Sequence, residues 1–384
     1  MKSKYIAALL GLGLAASASA ATEIRLTGST AFRSSIHTAI LAKMGSSATY
    51  AYIGTSSVGV GGSNQAIFTG TIDGQAVIVK TAWSGSADGI HKVASGTTVA
   101  YLSNSTTQSS SGTPSVPTGT EQLVPTAAFS DVYQGSTVYT TPTLTDTIVA
   151  IAPFKWIASA SAPTSLTNIT PQLVQALYGA GTLPLALFTG NAADQGTTVY
   201  ALGRDPDSGT RITAFAEAGL GPFAGVVQYV PTINGSNEVT AFNPTPANPT
   251  NGWVLGNTGA SSGSALSTQL KATSTTQNAV MIGYLGLSDA SNAILGGAKE
   301  LTYNGVAYSA DNTRQGKYTF WCYEHLLYPS SLSGIAKNIV DSIGVQLNTV
   351  PGAAGISAVQ GTPGAAGSFD VYRPTDGATV VPNY

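Results

Sequence analysis

Charged side chains are scarce in this sequence. Asp, Glu, Lys and Arg make up only 9% of 384 residues, and the formal net charge is −2. Because nucleic-acid-binding proteins usually carry a basic stripe or patch, we exclude nucleic acid as a partner. The hydrophobic fraction of 43% is nevertheless large enough for a core, which argues against a disordered chain. The length predicts two domains.

Cysteine and histidine are nearly absent as well. Cys322 is the one cysteine, so no internal disulfide can form, and its aromatic surroundings ("YTFWCYEHLLY") predict a buried thiol. His37, His91 and His325 lack metal-ligand spacing, and we expect solvated or helix-capping roles for the first two. The sequence has no G-x-S-x-G elbow and no Walker motif. We therefore predict a protein that is not an enzyme and has no metal or cofactor.

The first twenty residues, "MKSKYIAALLGLGLAASASA", have the pattern of a secretory signal peptide. Lys2 and Lys4 precede an apolar run that ends in small residues, with cleavage expected after Ala20 or Ala21. The run is shorter than the roughly 20 residues that a membrane span needs. No cysteine stands at the cleavage site for a lipid anchor. We predict a soluble, exported protein, either periplasmic or secreted.

Apolar strand patterns alternate with helical patterns along the chain, which predicts an α/β fold. Pro153 lies within one apolar strand, which we expect to bend or end there. Thr170 and Pro171 predict a helix start, with Gly179 after its last turn. The polar stretches 103–120 and 231–275 predict exposed loops.

Three strand–turn–helix units carry turns of small, hydroxyl-rich residues, at 27–30, 84–86 and 208–210. A helix N-terminus offers free N–H groups and a partial positive charge, so several such turns at strand ends could form an anion site. Arg204 would add a planar fork for two oxygens, with its neighbouring aspartates holding it in place. A plain capping turn explains "DPDSG" equally well.

In combination, four motifs resemble the periplasmic phosphate-binding protein family, the substrate-binding component of the phosphate ABC transporter. They are "LTGSTAF", "SGSADGIHKVA", "AAFSDV" and "RDPDSGT", and "MIGYLGL" resembles the strand that returns from the family's second domain. This sequence departs from the family in having Asp88 in place of glycine, Pro206 in place of aspartate, and a long 103–120 insertion. "IGTSS", with Thr55 or Ser56, remains an alternative to the second motif. The resemblance implies that phosphate contacts Ser29, Thr30, Ala31, Ser86, Asp131, Arg204, Ser208, Gly209 and Thr210.

The resemblance also implies a two-lobed, type II periplasmic binding architecture, with mixed sheets flanked by helices and the ligand in a cleft between lobes. Lobe 1 would contain residues 22–150 and 285–384, and lobe 2 residues 151–284. The expected partners are inorganic phosphate and a membrane permease, and we expect a monomer. Asp131 would accept the proton of phosphate, which sulfate lacks. Two alternatives stay open: a secreted surface or matrix protein without the ligand, and a phosphatase-like hydrolase using Ser208.

Overall fold

The computed structural model describes residues 20–56, 59–115, 119–347 and 369–382. Apart from Ala20, the predicted signal peptide lies outside these ranges, so it stays a prediction. Within them, none of the helices has both the length and the apolar character that a membrane crossing requires.

The chain has a mixed α/β fold, which confirms the predicted fold class. The helices are α1 (Arg33–Met44), α2 (Ser86–Ser95), α3 (Pro171–Ala180), α4 (Ala186–Thr189), α5 (Gly209–Glu217), α6 (Gly263–Leu270), α7 (Leu287–Leu295), α8 (Ala310–Arg314) and α9 (Gly334–Leu347). The strands are β1 (Thr22–Gly28), β2 (Thr49–Ile53), β3 (Gln65–Ile72), β4 (Gln75–Trp83), β5 (Val99–Leu102), β6 (Thr113–Ser115), β7 (Thr120–Leu123), β8 (Ala127–Ser130), β9 (Thr145–Ala158), β10 (Asn168–Ile169), β11 (Thr182–Pro184), β12 (Thr198–Ala201), β13 (Tyr229–Ile233), β14 (Val239–Pro244), β15 (Ala279–Gly286), β16 (Lys299–Tyr303), β17 (Trp321–Tyr328), β18 (Val371–Tyr372) and β19 (Val381–Pro382).

One mixed sheet of thirteen strands organises the described chain. Its order is β11-β12-β15-β9-β17-β8-β1-β4-β3-β2-β6, and β10 joins it through β16, which pairs with β9. β1 runs parallel to both β4 and β8, and β12 runs parallel to β15. The carboxyl ends of β1, β4 and β8 therefore meet at one edge, where a ligand site is expected.

The long strand β9 connects the two halves of this sheet. Its first part pairs with β17 as far as Pro153, opposite Trp321, and its last part pairs with β15 from Phe154, opposite Gly286. β9 continues through Pro153 to Ala158, so the expected end of the strand at Pro153 is wrong, while the expected bend stays a prediction. The proline lies where β9 changes partners, so its missing N–H falls at a junction between two ladders.

The sheet pairings assign most elements to one half or the other. β1 to β4, β8 and β17 form the half that contains α1 and α2, whereas β11, β12 and β15 form the half that contains α3 and α5. β16 pairs with residues 156–158 of β9, in the half with β15, although residues 285–384 were predicted for lobe 1. The chain returns to the first half with β17. The division into two lobes stays a prediction.

Three local expectations need correction. The stretch 231–275 contains most of the β13–β14 hairpin and α6, because β14 carries the strand-favouring residues Val239, Thr240 and Phe242 and Ser262 caps the helix. The stretch 103–120 contains β6, which pairs with β2 at the sheet edge. α3 ends at Gly181, which adopts the left-handed conformation, rather than at Gly179.

The single cysteine and the histidine His37 lie in the core. Cys322 is buried, as predicted, and its thiol faces the carbonyl of Ala152. His37 is fully buried, which corrects the expected solvated or capping role: its ring contacts the Val60 carbonyl at 2.7 Å and the Thr81 hydroxyl at 2.9 Å. Burial is the main reason that the pKa of His37 falls to about 3, so this histidine is neutral at physiological pH.

Candidate anion-binding site

The turn before α1 is held tightly against the end of β8. Gly28 has a φ of +113°, and a Cβ there would lie 2.0 Å from the carbonyl oxygen of Phe129, so a side chain is excluded. The Ser29 N–H donates to the same carbonyl at 2.8 Å. The N–H groups of Thr30 and Ala31 have no protein acceptor in the described part of the chain. They are therefore available to a ligand.

The start of α2 meets the second half of the molecule. Gly85 has a φ of +133°, and a Cβ there would lie 2.8 Å from the carbonyl oxygen of Asp207. The Ala87 N–H donates to that carbonyl at 3.0 Å. No side chain caps α2, whose first residue is the buried Ser86. This glycine lets two helix starts from different halves approach each other.

The start of α5 supplies the third turn. The Ser208 hydroxyl accepts the Arg211 N–H at 3.3 Å, so Ser208 is an N-cap. Gly209 and Thr210 are the first two helical residues, whose N–H groups lie too early in the helix for an intrahelical acceptor. The capping interpretation of "DPDSG" is thus correct for Ser208, and it is compatible with an anion site formed by the next two residues.

Asp131 connects the second and third turns. Its carboxylate accepts hydrogen bonds from the hydroxyls of Ser86 and Thr210, the latter at 3.1 Å. A Cβ on Gly209 would lie 1.8 Å from Oδ1 of Asp131, so only glycine fits there. Burial raises the pKa of Asp131 to about 6, although the Thr210 hydroxyl and the charge of Arg204 lower it.

Arg204 links the two halves at the first turn. Its Nη1 donates to the Thr30 hydroxyl at 3.2 Å, and its side chain is buried. Nε donates to the Ala260 carbonyl at 2.9 Å, and Nη2 donates to the Ser261 carbonyl at 3.2 Å. These carbonyls, rather than the neighbouring aspartates, hold the guanidinium, which corrects the role expected for the aspartates.

The aspartates beside Arg204 have other surroundings. Asp205 is buried, and burial raises its pKa to about 6 against the opposing charges of Arg204 and Arg211. Asp207 accepts from the Tyr139 hydroxyl at 3.1 Å, and burial together with Asp205 and Asp88 raises its pKa to about 7. These carboxyls are therefore partly neutral near physiological pH, which limits their repulsion of an anion.

All nine residues predicted for the ligand lie in this region, and each is buried. Thr30 is joined to Arg204, Asp131 is joined to Ser86 and Thr210, and Arg204 acts electrostatically on Asp131. Thr55 and Ser56, the alternative to Ser86, are exposed. The geometry thus favours Ser86, while the ligand contacts themselves stay a prediction.

One buried ion pair was not predicted. Arg33 follows the first turn, and its Nη2 lies 2.8 Å from Oδ1 of Asp289. Nη1 of Arg33 also donates to the Thr30 carbonyl, so the ion pair with Asp289 holds the turn before α1 in place. Arg33 directly follows "TGSTAF" and could have been noticed there, but its partner lies 256 residues later in the chain. No sequence signal marks that partner.

Similarity to solved structures supports the fold. A protein from Clostridium perfringens assigned as a phosphate ABC transporter substrate-binding protein, solved with phosphate bound, matches with a TM-score of 0.50 at 14% identity; the match covers 84% of this chain and 93% of that one. An ABC-type phosphate transport receptor from Vibrio cholerae matches with a TM-score of 0.42 at 16% identity, covering 83% and 93%. A phosphate-binding protein from Stenotrophomonas maltophilia matches with a TM-score of 0.38 at 14% identity, covering 80% and 79%.

The Clostridium match defines the class of fold. The Clostridium structure and this chain share a mixed α/β architecture over most of both chains. The predicted fold class, a mixed α/β fold like that of two-lobed phosphate-binding proteins, is confirmed, whereas the boundaries of the lobes stay a prediction. No protein-family model matches the chain, and no curated protein matches it in sequence.

Proposed function

We propose that this protein is an exported solute-binding protein that captures inorganic phosphate for ABC-type uptake or for sensing. The observation that carries the proposal is the placement of Asp131 among two helix N-termini, with the buried guanidinium of Arg204 and a third N-terminal turn beside it. The nine ligand contacts predicted from the sequence are proposed for phosphate on the same grounds.

The surroundings suit a tetrahedral anion. Backbone N–H groups at helix starts bind phosphate without requiring many cations, which is consistent with the low charge of this chain. Arg204 contributes a planar set of donors, already oriented by two carbonyl groups. The hydroxyls of Ser86 and Thr210, which now donate to Asp131, can turn toward a bound oxyanion.

Asp131 gives the site a means of selecting phosphate over sulfate. Near neutral pH phosphate keeps at least one proton, since its second pKa is about 6. An ionised Asp131 can accept that proton in a hydrogen bond. Sulfate has no proton to donate, so one of its oxygens would face the carboxylate unpaired. Sites built to pair a substrate hydroxyl reject an analogue without it by about 10⁴- to 10⁵-fold.

The Clostridium structure supports the same ligand, because it shares the fold and was solved with phosphate. Export, a permease partner and a monomeric state follow from the predicted signal peptide and the family resemblance, and they belong to this proposal. We also propose that the protein is not an enzyme. In the described chain, none of the three histidines, the usual general bases, forms a hydrogen bond with a proposed phosphate contact.

Calorimetric titration tests the proposal. The purified protein is stripped of bound anion by unfolding and refolding, and is then titrated with phosphate and with sulfate. We expect phosphate to bind in the micromolar range or tighter, about −8 kcal/mol or better, and sulfate to give no heat. Asp131→Asn should lose this discrimination, because the amide can donate to sulfate.

The alternatives appear as distinct outcomes. The absence of heat with either anion would overturn the proposal and favour a secreted surface or matrix protein. Steady turnover of a chromogenic phosphate monoester, abolished in Ser208→Ala, would favour the hydrolase.

A further inference from the structure

A buried glutamate lies beside Asp131 on the neighbouring strand. β17 pairs with β8 so that His325 is opposite Ser130, the last residue of β8. Continuing this register by one residue puts Glu324 opposite Asp131, which agrees with the electrostatic effect of Asp131 on the Glu324 carboxyl. On the other side of β17, Glu324 is opposite Ala150 of β9. Side chains directly opposite on adjacent strands lie about 5 Å apart. Glu324 is completely buried.

The carboxyl of Glu324 has no partner. Neither Oε1 nor Oε2 forms a hydrogen bond with any residue that the structure describes. An ionised carboxylate buried without a partner is so costly that the group takes up a proton instead. Burial first, and then the negative charge of Asp131, raise the pKa of Glu324 well above its usual value.

Among the residues that the structure describes, no positively charged side chain forms an ion pair with Glu324. Cys322 on the same strand is buried, and its pKa is raised by burial and by the carboxylates of Asp131, Asp376 and Glu324. α5 contributes the Thr213 hydroxyl, which donates to the Asp131 carbonyl at 3.2 Å. In the described chain, Arg204 acts on Asp131 but forms no ion pair with Glu324.

The remaining titratable groups nearby are already engaged. His325, the next residue of β17, contacts Asp146 of β9 at 2.8 Å. On α2, which also packs against β17, Lys92 lies 3.8 Å from Asp88, and both are partly exposed. Asp376 accepts the Tyr133 N–H at 2.9 Å. Glu324 and Asp131 therefore form a buried acidic pair, in which Arg204 and Asp376 act electrostatically on Asp131.

We propose that Glu324 is a specificity-determining residue that acts through Asp131, by remaining a neutral acid so that Asp131 carries the one negative charge of the pair. This inference rests on the proposed phosphate function. With one charge, the pair offers an acceptor for the anion's proton while Arg204 balances that charge. With two charges, the pair would repel the anion across a medium of low dielectric constant.

The first experiment determines the protonation state of Glu324 without any ligand. Infrared spectra of the wild-type protein and Glu324→Gln are compared at neutral pH. The carbonyl band of a protonated carboxylic acid should be present in the wild type and missing from the variant. Loss of an ionised carboxylate band instead would overturn the proposal. Glu324→Leu, a variant without polar atoms at this position, should fold and melt no lower than the wild type, which provides a second folded protein if the glutamine variant fails.

The second experiment measures phosphate affinity against pH in the wild type and in Glu324→Gln. At pH 7 the two dissociation constants should agree within about threefold, because the amide mimics the neutral acid. Above the pH at which the carboxylic-acid band of Glu324 disappears from the infrared spectrum, ionisation of Glu324 should weaken phosphate binding by the wild type by about tenfold or more relative to the variant. The comparison cancels the titration of phosphate itself.

The outcomes separate the two proposals. If the wild type binds phosphate but the two profiles still coincide above the pH at which the infrared band shows Glu324 to be ionised, or if Glu324→Gln binds more than tenfold tighter at pH 7, this inference alone is overturned. If neither protein binds phosphate, the proposed function fails, and the specificity role of Glu324 fails with it.

Discussion

The starts of α3 and α2 show two ways to begin a helix in one protein. At α3, the Thr170 hydroxyl accepts the Leu173 N–H at 3.2 Å, and Pro171 occupies the first turn. At α2, Gly85 precedes the helix and no side chain caps it. The first start satisfies one of its N–H groups with its own cap, whereas the second has no side-chain acceptor and its Ala87 N–H donates to the Asp207 carbonyl of the other half.

Helix starts at the candidate site are of both kinds. α1 lacks a side-chain cap, as α2 does, whereas α6, which begins beside Ser261, is capped by Ser262, and α8, away from the site, is capped by Ser309. α5 combines the two, because Ser208 caps it and Gly209 still lies against Asp131. An uncapped start costs about 1 kcal/mol of stability, which a bound anion can offset.

The largest expected effect comes from removing the guanidinium. Arg204→Gln should weaken phosphate binding about a thousandfold, because truncating one member of a buried, hydrogen-bonded charge pair costs 2–5 kcal/mol. Calorimetric titration measures the loss. Arg314→Gln, which removes a surface ion pair with Asp311 at 2.9 Å, is the matched control and should bind normally. Equal affinities in the two variants would contradict the assignment of Arg204.

The second effect is a dependence of the free energy of unfolding on pH. It arises at the candidate site, which contains the buried acid Asp131, and not at the start of α3, which contains no acid. The folded protein holds the proton of Asp131 at a pKa of about 6, above the ordinary aspartate value of 3.8. The stability from this group is therefore fully present below about pH 4 and is lost as the pH rises through 6. Between these two pH values, the free energy of unfolding should fall by about 3 kcal/mol through Asp131.

Urea unfolding at pH 4 and pH 7 tests this sign. The fall in the free energy of unfolding should be larger in the wild type than in Asp131→Asn, which still contains Asp205 and Asp207. An equal fall in both proteins would show that Asp131 titrates normally.

The third effect contrasts two helical glycines. Gly209→Ala should destabilise the fold by about 2 kcal/mol and weaken phosphate binding, because its Cβ would overlap Oδ1 of Asp131. Gly179→Ala, in α3, places a methyl group in open space and should stabilise the protein by about 0.5–1 kcal/mol. Chemical denaturation gives both values, and a stable Gly209→Ala protein with normal affinity would contradict the site geometry.

The smallest effect tests the two caps directly. Thr170→Ala should lower the free energy of unfolding by about 1 kcal/mol without changing phosphate affinity. Ser208→Ala should cost a similar amount and should also weaken binding, because its helix start lies at Asp131. Thermal melts with and without phosphate measure both effects. If phosphate raised the melting temperature equally in the two variants, the proposed difference between the two helix starts would be wrong.

Much of this arrangement was predictable from local sequence. Thr170 and Pro171 mark a helix start through their own chemistry, and the strand–turn–helix units around 27–30, 84–86 and 208–210 are present as predicted. These turns contain six of the nine candidate residues, and all nine lie together because strand ends meet at one edge of a sheet. Pro153 and the hairpin in 231–275 were misjudged, since strand pairing overrode local composition there.

The sequence by itself determined the α/β class, the three turns and the residues at their tips, because these depend on side chains within a few positions of one another. Only the tertiary structure decided that Ala260 and Ser261 hold Arg204, that Asp289 pairs with Arg33, and that Glu324 stands beside Asp131. Each of these contacts joins residues more than fifty positions apart. Their meeting depends on the register between strands and the packing of the two halves, which are properties of the whole chain.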